Sequence, residues 1–311
     1  MAARRNDGFD DVLPEAVLEE LSVLAGRERT ISEISGGLTN RNFKVVVADG
    51  AYVVRVSSRE SLELAINREH EYQNSVRAAE AGVGAKVVGY LPEHSVLAVE
   101  FLEGDTFTDA NFQIPGTITR VAEAVKRLHG AQAFVSEFNM FDIQAGYLQN
   151  VLDRGYRLPG DYLDHLEQLP RIKRALSVNA EALVPCNNDL LAGNFIDTGR
   201  EIRLIDYEYA GNNDPCFELG NIWSECHLSD SQLEELVTAY YGRYLANRVA
   251  RARLQAFMSQ YGWTLWASIQ DATSSIDFDF WEWGMEKYDR AVSLLRSPAF
   301  EAVLATVQTD Q

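Results

Sequence analysis

The spacing of apolar residues changes period along this chain, and that change constrains the fold more than any single motif. Over residues 31–57 the pattern is extended. Phe43, Val45 and Val47 alternate with Lys44 and Val46, the period of a strand with one buried face. Asp49-Gly50 interrupts the run before residues 51–56. Asp-Gly between β-branched runs predicts a tight hairpin, because both residues tolerate the positive φ of a type I′ turn. Residues 62–81 lack Pro and Gly and are rich in Glu, Ala and Arg, which predicts a helix. Two further short strands are expected at 86–90 and 95–101, joined around Pro92-Glu93-His94. An earlier helix is expected over 14–24, with Val17, Leu18, Leu21 and Leu24 on one side.

After Glu103-Gly104-Asp105 the period becomes helical. Ile118, Val121, Val125 and Leu128 recur on one face, with Thr117 as the expected N-cap. Residues 184–208 return to an extended pattern, turning at Asp197-Thr198-Gly199, and 229–308 are helical, as Leu233, Leu236, Tyr240, Tyr241 and Tyr244 indicate. The expected class is α+β. A small, mostly antiparallel β unit (1–103) precedes a larger helical one (104–311), with a ligand cleft between them.

Charge narrows the ligand. The 28 Lys plus Arg stand against 46 Asp plus Glu, a net −18. Such a field repels phosphate backbones and attracts small cations, so nucleic acid is excluded as a partner and a cationic small molecule is expected. Cys186, Cys216 and Cys226 form no C-x-x-C pair and read as reduced thiols of a cytoplasmic protein. No apolar run is long enough to span a bilayer, so no membrane insertion is expected. Met1-Ala-Ala-Arg-Arg-Asn-Asp has no apolar segment behind it and does not read as a signal peptide. Nothing in the sequence indicates an oligomer.

Three stretches carry chemistry. Ser35-Gly36-Gly37-Leu38-Thr39-Asn40 lies between two expected strands. Paired glycines permit close backbone approach, so this is either a phosphate-facing loop or an ordinary hairpin turn. Arg55 stands inside the apolar run Val53-Val54-Arg55-Val56. It either points to solvent or meets an anion, with Glu71 on the next helix as the natural protein partner. The most specific stretch is Pro185-Cys186-Asn187-Asn188-Asp189-Leu190-Leu191-Ala192-Gly193-Asn194, followed by Asp206 at the end of Leu204-Ile205. Phosphoryl transfer from a nucleotide needs one carboxylate to accept the proton of an attacking hydroxyl. It also needs an amide and a second carboxylate to hold Mg²⁺ against the phosphates. Asp189, Asn194 and Asp206 match those parts, although Asp and Asn also cap turns.

All five tryptophans, Trp223, Trp263, Trp266, Trp281 and Trp283, fall in the last third. Trp263 and Trp266 are three apart and share a helix face, with Phe278 and Trp283 following. This is either a core stripe or a cage for a quaternary ammonium, which binds aromatic faces at roughly 0.5–2 kcal/mol per contact. Glu208 and Glu225 either add negative charge there or sit in surface ion pairs.

These segments together resemble the choline/ethanolamine kinase branch of the protein-kinase-like phosphotransferases, a group that includes the aminoglycoside phosphotransferases. Ser35 to Asn40, Asn67-Arg-Glu-His-Glu71, Cys186-Asn-Asn-Asp189 through Asn194, Leu204-Ile-Asp-Tyr-Glu-Tyr-Ala210, Phe217-Glu-Leu-Gly-Asn221 and Glu225 carry the resemblance. It implies a two-lobed protein-kinase-like fold and transfer of the ATP γ-phosphoryl to a small cationic alcohol, choline first. Asp189 would be the catalytic base, and Asn194 and Asp206 the Mg²⁺ ligands. Arg55 would replace the usual strand lysine, with Glu71 as partner. Residues Ser35, Gly36, Gly37, Leu38, Thr39 and Asn40 would cover ATP, with Glu100, Phe101 and Leu102 as its hinge and Leu191 beside it. Trp263, Trp266, Phe278 and Trp283, with Glu208 and Glu225, would line the acceptor pocket. Asn187 stands where the family commonly has His. Rival readings are ethanolamine, an aminoglycoside or another amine alcohol as acceptor, or a pseudokinase that only binds nucleotide.

Overall fold

The computed structural model describes residues 13–34, 37–57, 64 and 66–310. Ser35 and Gly36 therefore lie outside the described residues. In chain order the elements begin with α1 (Glu15–Glu20), β1 (Arg29–Ile34), β2 (Asn40–Val47), β3 (Gly50–Ser57), α2 (Arg68–Glu80), β4 (Val87–Leu91), β5 (Val96–Glu100) and β6 (Asp105–Thr106). They continue through α3 (Thr117–His129), α4 (Met140–Arg154), α5 (Gln168–Ser177), β7 (Val184–Cys186), β8 (Phe195–Asp197), β9 (Ile202–Leu204) and β10 (Gly211–Asn213). The last are α6 (Pro215–Glu225), α7 (Asp230–Tyr241), α8 (Ala246–Thr273), α9 (Phe280–Arg296) and α10 (Phe300–Thr306).

The first five strands form one antiparallel sheet in the order β1-β2-β3-β5-β4. One face buries Phe43, Val45, Val47, Val54, Val96 and Ala98 against Val17, Leu18 and Leu21 from α1 and the turn after it. Alternation sends Arg55 to the opposite face, toward α2. Asn67 caps α2 by accepting from the N–H groups of Glu69 and His70, so the helix starts several residues later than its composition predicts.

The β2–β3 hairpin forms, but not through the expected turn. Val47 pairs with Gly50, so Ala48 and Asp49 make the loop. Neither Asp49 nor Gly50 has a positive φ, because Gly50 is already the first ladder residue of β3. The cap of α3 also shifts by one: Gly116 takes it at φ 85°, and Thr117 is the first helical residue.

The remainder is mainly helical, which makes the whole an α+β fold. Helix α8 runs through its middle and is buried on nearly every side from Val249 to Gln270. A helix buried all round must pair its polar side chains. Arg251 and Gln255 donate to Asp214 at 2.6 and 2.9 Å, and Ser259 accepts from Asn221 at 3.2 Å. Gly220 lets α6 close on α8, since a Cβ there would stand 2.2 Å from the Ala252 carbonyl oxygen. No helix among the described residues is long and apolar enough to cross a membrane.

Candidate active site

The loop that carries Asp189 is held from below by α6. Glu218, fully buried, accepts the N–H of Asn187 with one carboxylate oxygen and that of Asn188 with the other, each at 2.8 Å. Asn221, one turn on, accepts the N–H of Leu190 at 2.7 Å. Asp189 thus sits between three main-chain groups that two side chains of one helix fix. His129 packs beneath, with Nδ1 2.8 Å from the Tyr240 hydroxyl and Nε2 3.5 Å from the Cys186 sulfur. Both oxygens of Glu218 are used by the loop, so these groups act as an anchor.

Asn187 ties the loop to the segment bearing Asp206. Its amide donates to the carbonyls of Ile205 and Asp206 at 3.1 and 2.7 Å, and its oxygen accepts the Asp189 N–H at 3.1 Å. Asn188 and Asp206 both adopt the left-handed region, at φ 69° and 64°, which short polar side chains tolerate best. Asn194 donates its amide to the Asp189 carbonyl at 2.7 Å, which leaves its oxygen for another partner.

One cavity of about 120 Å³ gathers these groups. It is lined by Gly37, Leu38, Thr39, Asn40, Asn42, Asp189, Leu191, Asn194, Asp206, Glu208, Tyr209, Trp263, Trp266 and Trp283. That room lies below the roughly 300–1,000 Å³ of drug-sized ligand pockets and suits a smaller molecule. Gly37 fits its place because a Cβ would meet the Asn40 carbonyl oxygen at 2.6 Å. The loop is tethered across the cavity. Thr39 and Asn40 donate to Glu208 at 2.9 and 2.8 Å, and Gln270 of α8 donates to the Leu38 carbonyl at 3.3 Å.

Arg55 meets anions, not solvent. Its Nη1 lies 2.6 Å from Glu71 and 2.9 Å from Asp206. Arg68 joins Glu71 and Glu208 at 2.7 and 3.1 Å. Burial alone would lower the Arg55 guanidinium, but Asp206, Glu71 and Glu208 outweigh it and hold it above the ordinary arginine range. Glu208 is buried too, not in a surface pair, and desolvation followed by Asp206 raises its carboxyl against the pull of Arg55 and Arg68. Burial, then Glu225, Asp206 and Glu208, push Asp189 well above the usual carboxylate range, while Lys287 pulls it down.

The residues present fit a divalent cation. Oδ1 of Asp206 is buried and faces the Arg55 guanidinium at 2.9 Å as an ion pair. A carboxylate and a carboxamide oxygen are the hard donors that Mg²⁺ prefers.

The aromatic groups divide. Tyr209 packs edge-on against Trp263 at 4.7 Å and accepts the Trp266 indole N–H at 2.8 Å, and Trp266 lies 5.4 Å from Trp283. Phe278 is not among the cavity's lining residues. It is 41% exposed and rests on Phe280 at 4.9 Å, because the chain between α8 and α9 carries it outward. Glu225 is buried and paired with the Lys287 ammonium. Glu100, Phe101 and Leu102 lie where β5 ends, outside this cavity, with the Lys44 ammonium 3.5 Å from the centre of the Phe101 ring. Sequence reasoning passed over Tyr209, Asn42, Glu218 and Lys287 as site residues. Tyr209 was signalled by its place in the Leu204–Ala210 segment that carries the family resemblance, but no role was assigned to it.

The choline/ethanolamine kinase family model matches residues 31–244 of this chain. The chain belongs to the choline/ethanolamine kinase family. Among curated relatives, the kinase is 24% identical over 273 residues to protein LicA of Haemophilus influenzae, covering 84% of this chain and 78% of that one. It is 27% identical over 315 residues to ethanolamine kinase 2 of Rattus norvegicus, at 90% and 81% coverage. Among solved structures, a choline/ethanolamine kinase family protein from Mesorhizobium loti superposes with a TM-score of 0.82 at 31% identity, over 94% of this chain and 97% of that one. The protein is thus a kinase that phosphorylates an alcohol.

Proposed function

We propose that this kinase moves the γ-phosphoryl group of ATP, with Mg²⁺, to the hydroxyl of a small cationic amino alcohol, choline in preference to ethanolamine. The observation that carries the reading is one cavity lined both by Asp189, Asn194 and Asp206 and by four aromatic side chains, Tyr209, Trp263, Trp266 and Trp283. A quaternary ammonium has no N–H to donate, so π faces suit it better than carboxylates alone.

In this reading Asp189 orients the acceptor hydroxyl and takes its proton. The backbone and side chains of Gly37 to Asn40 cover the phosphates, and Arg55, steadied by Glu71, faces their charge. Asn194 and Asp206 would hold Mg²⁺, which neutralises phosphate charge when bound. Glu100, Phe101 and Leu102 would border the adenine, with Leu191 on the other side of the cleft.

The test is a Mg²⁺-ATP assay over ethanolamine, its mono- and dimethyl derivatives, choline and an aminoglycoside. Rates that rise with N-methylation support the reading. Rates that fall with methylation, or activity with the aminoglycoside alone, would overturn it. Trp266→Ala should raise KM for choline by about 2- to 30-fold, the scale of one lost cation–π contact, while KM for ATP changes little. Parallel rises in both constants would mark the tryptophan as packing only.

A further inference from the structure

Lys287 lies one helical turn after Trp283 on α9, and at 7% exposure it is among the few buried lysines. Its ammonium stands 3.9 Å from the centre of the Trp283 ring and donates to Oε2 of Glu225 on α6. The other oxygen of Glu225, Oε1, is buried without a hydrogen-bond partner among the described residues. Trp283 lines the cavity and Lys287 does not. Both charges reach the catalytic carboxylate: Glu225 is the largest charge raising Asp189, and Lys287 opposes it. The Glu225–Lys287 ion pair therefore stands behind Trp283, one side chain back from the cavity, and the ammonium cancels the carboxylate's charge there.

We propose that Lys287 is a positioning residue that decides which ammonium the cavity accepts. By neutralising Glu225 it leaves aromatic faces to hold the cation, and so favours a quaternary over a primary ammonium. This rests on the cationic-alcohol reading above. A free carboxylate would serve a primary ammonium most, because only that group can return N–H hydrogen bonds to it. A quaternary ammonium gains chiefly from the π faces of Tyr209, Trp263, Trp266 and Trp283.

The experiment compares kcat/KM for choline and ethanolamine with the inhibition constant of 3,3-dimethyl-1-butanol, the uncharged isostere of choline. The proteins are the parent, Lys287→Met, Lys287→Arg, Glu225→Gln and the double variant Lys287→Met/Glu225→Gln. Lys287→Met should shift the ethanolamine-to-choline ratio toward ethanolamine by about tenfold, the scale of one charge-assisted hydrogen bond. Lys287→Arg should keep the parental ratio. Glu225→Gln leaves a lone ammonium under the indole and should weaken both cations while the neutral isostere is unaffected. The double variant, with no net charge, should return toward choline. If Lys287→Met does not fold, Glu225→Gln reads the same charge balance from the other partner. Equal changes for the cations and the neutral isostere would overturn this proposal alone. A parent that turns over neither cation would overturn the cationic-alcohol reading and this proposal with it.

Discussion

Asp189→Asn should lower kcat by about 10²-fold or more, the range expected when a positioned general base is lost. The substitution is chosen because the loop does not depend on the Asp189 carboxylate. Its main-chain N–H is held by Asn187, its carbonyl by Asn194, and the flanking N–H groups by Glu218 and Asn221. Asparagine keeps the shape and all of those bonds. The loss should therefore appear in kcat, with thermal stability and nucleotide affinity close to the parent's. Stopped-time phosphorylation assays under saturating Mg²⁺-ATP would measure it. Turnover within a few-fold of the parent would remove Asp189 from the role of base.

Glu218→Ala should damage both fold and rate. It strands the N–H groups of Asn187 and Asn188, each fully buried. An unsatisfied buried donor costs about 1–3 kcal/mol, so the pair should cost roughly 2–6 kcal/mol of unfolding free energy if the two add. Denaturant unfolding reads that figure directly. The remaining folded protein should be slow, because Asp189 follows the two released residues. Glu218→Gln, which keeps one acceptor oxygen, should fall between. A fully stable, fully active alanine variant would show that α6 does not set the loop.

Much of this was legible beforehand, and the limits have physical causes. The alternation of Phe43, Val45 and Val47 gave the sheet face correctly because period-two burial is a local property. The convergence of Asp189, Asn194 and Asp206 on one cavity was readable because the Asp189 loop and the strand after it are close in sequence. Arg55 was ambiguous, since alternation says which face a residue takes but not what covers that face. Here α2 brings Glu71 to it. Glu218 escaped notice as a site residue because its partners lie 30 and 31 residues away and only packing of α6 under the loop joins them. Phe278 was carried into the pocket by resemblance, while the turn between α8 and α9 leaves it largely exposed. The hairpin also differs in detail: ladder pairing of Gly50 with Val47 outweighs the usual preference of Asp-Gly for the turn centre.

The tethers of Leu38, Thr39 and Asn40 to Gln270 and Glu208 have a kinetic consequence. The strip of chain covering the cavity cannot lift without releasing bonds to Glu208, which lines it, and to Gln270 on α8. A variant such as Thr39→Val, which removes one latch and touches no proton-transfer group, is the place to look for faster escape of the finished ester.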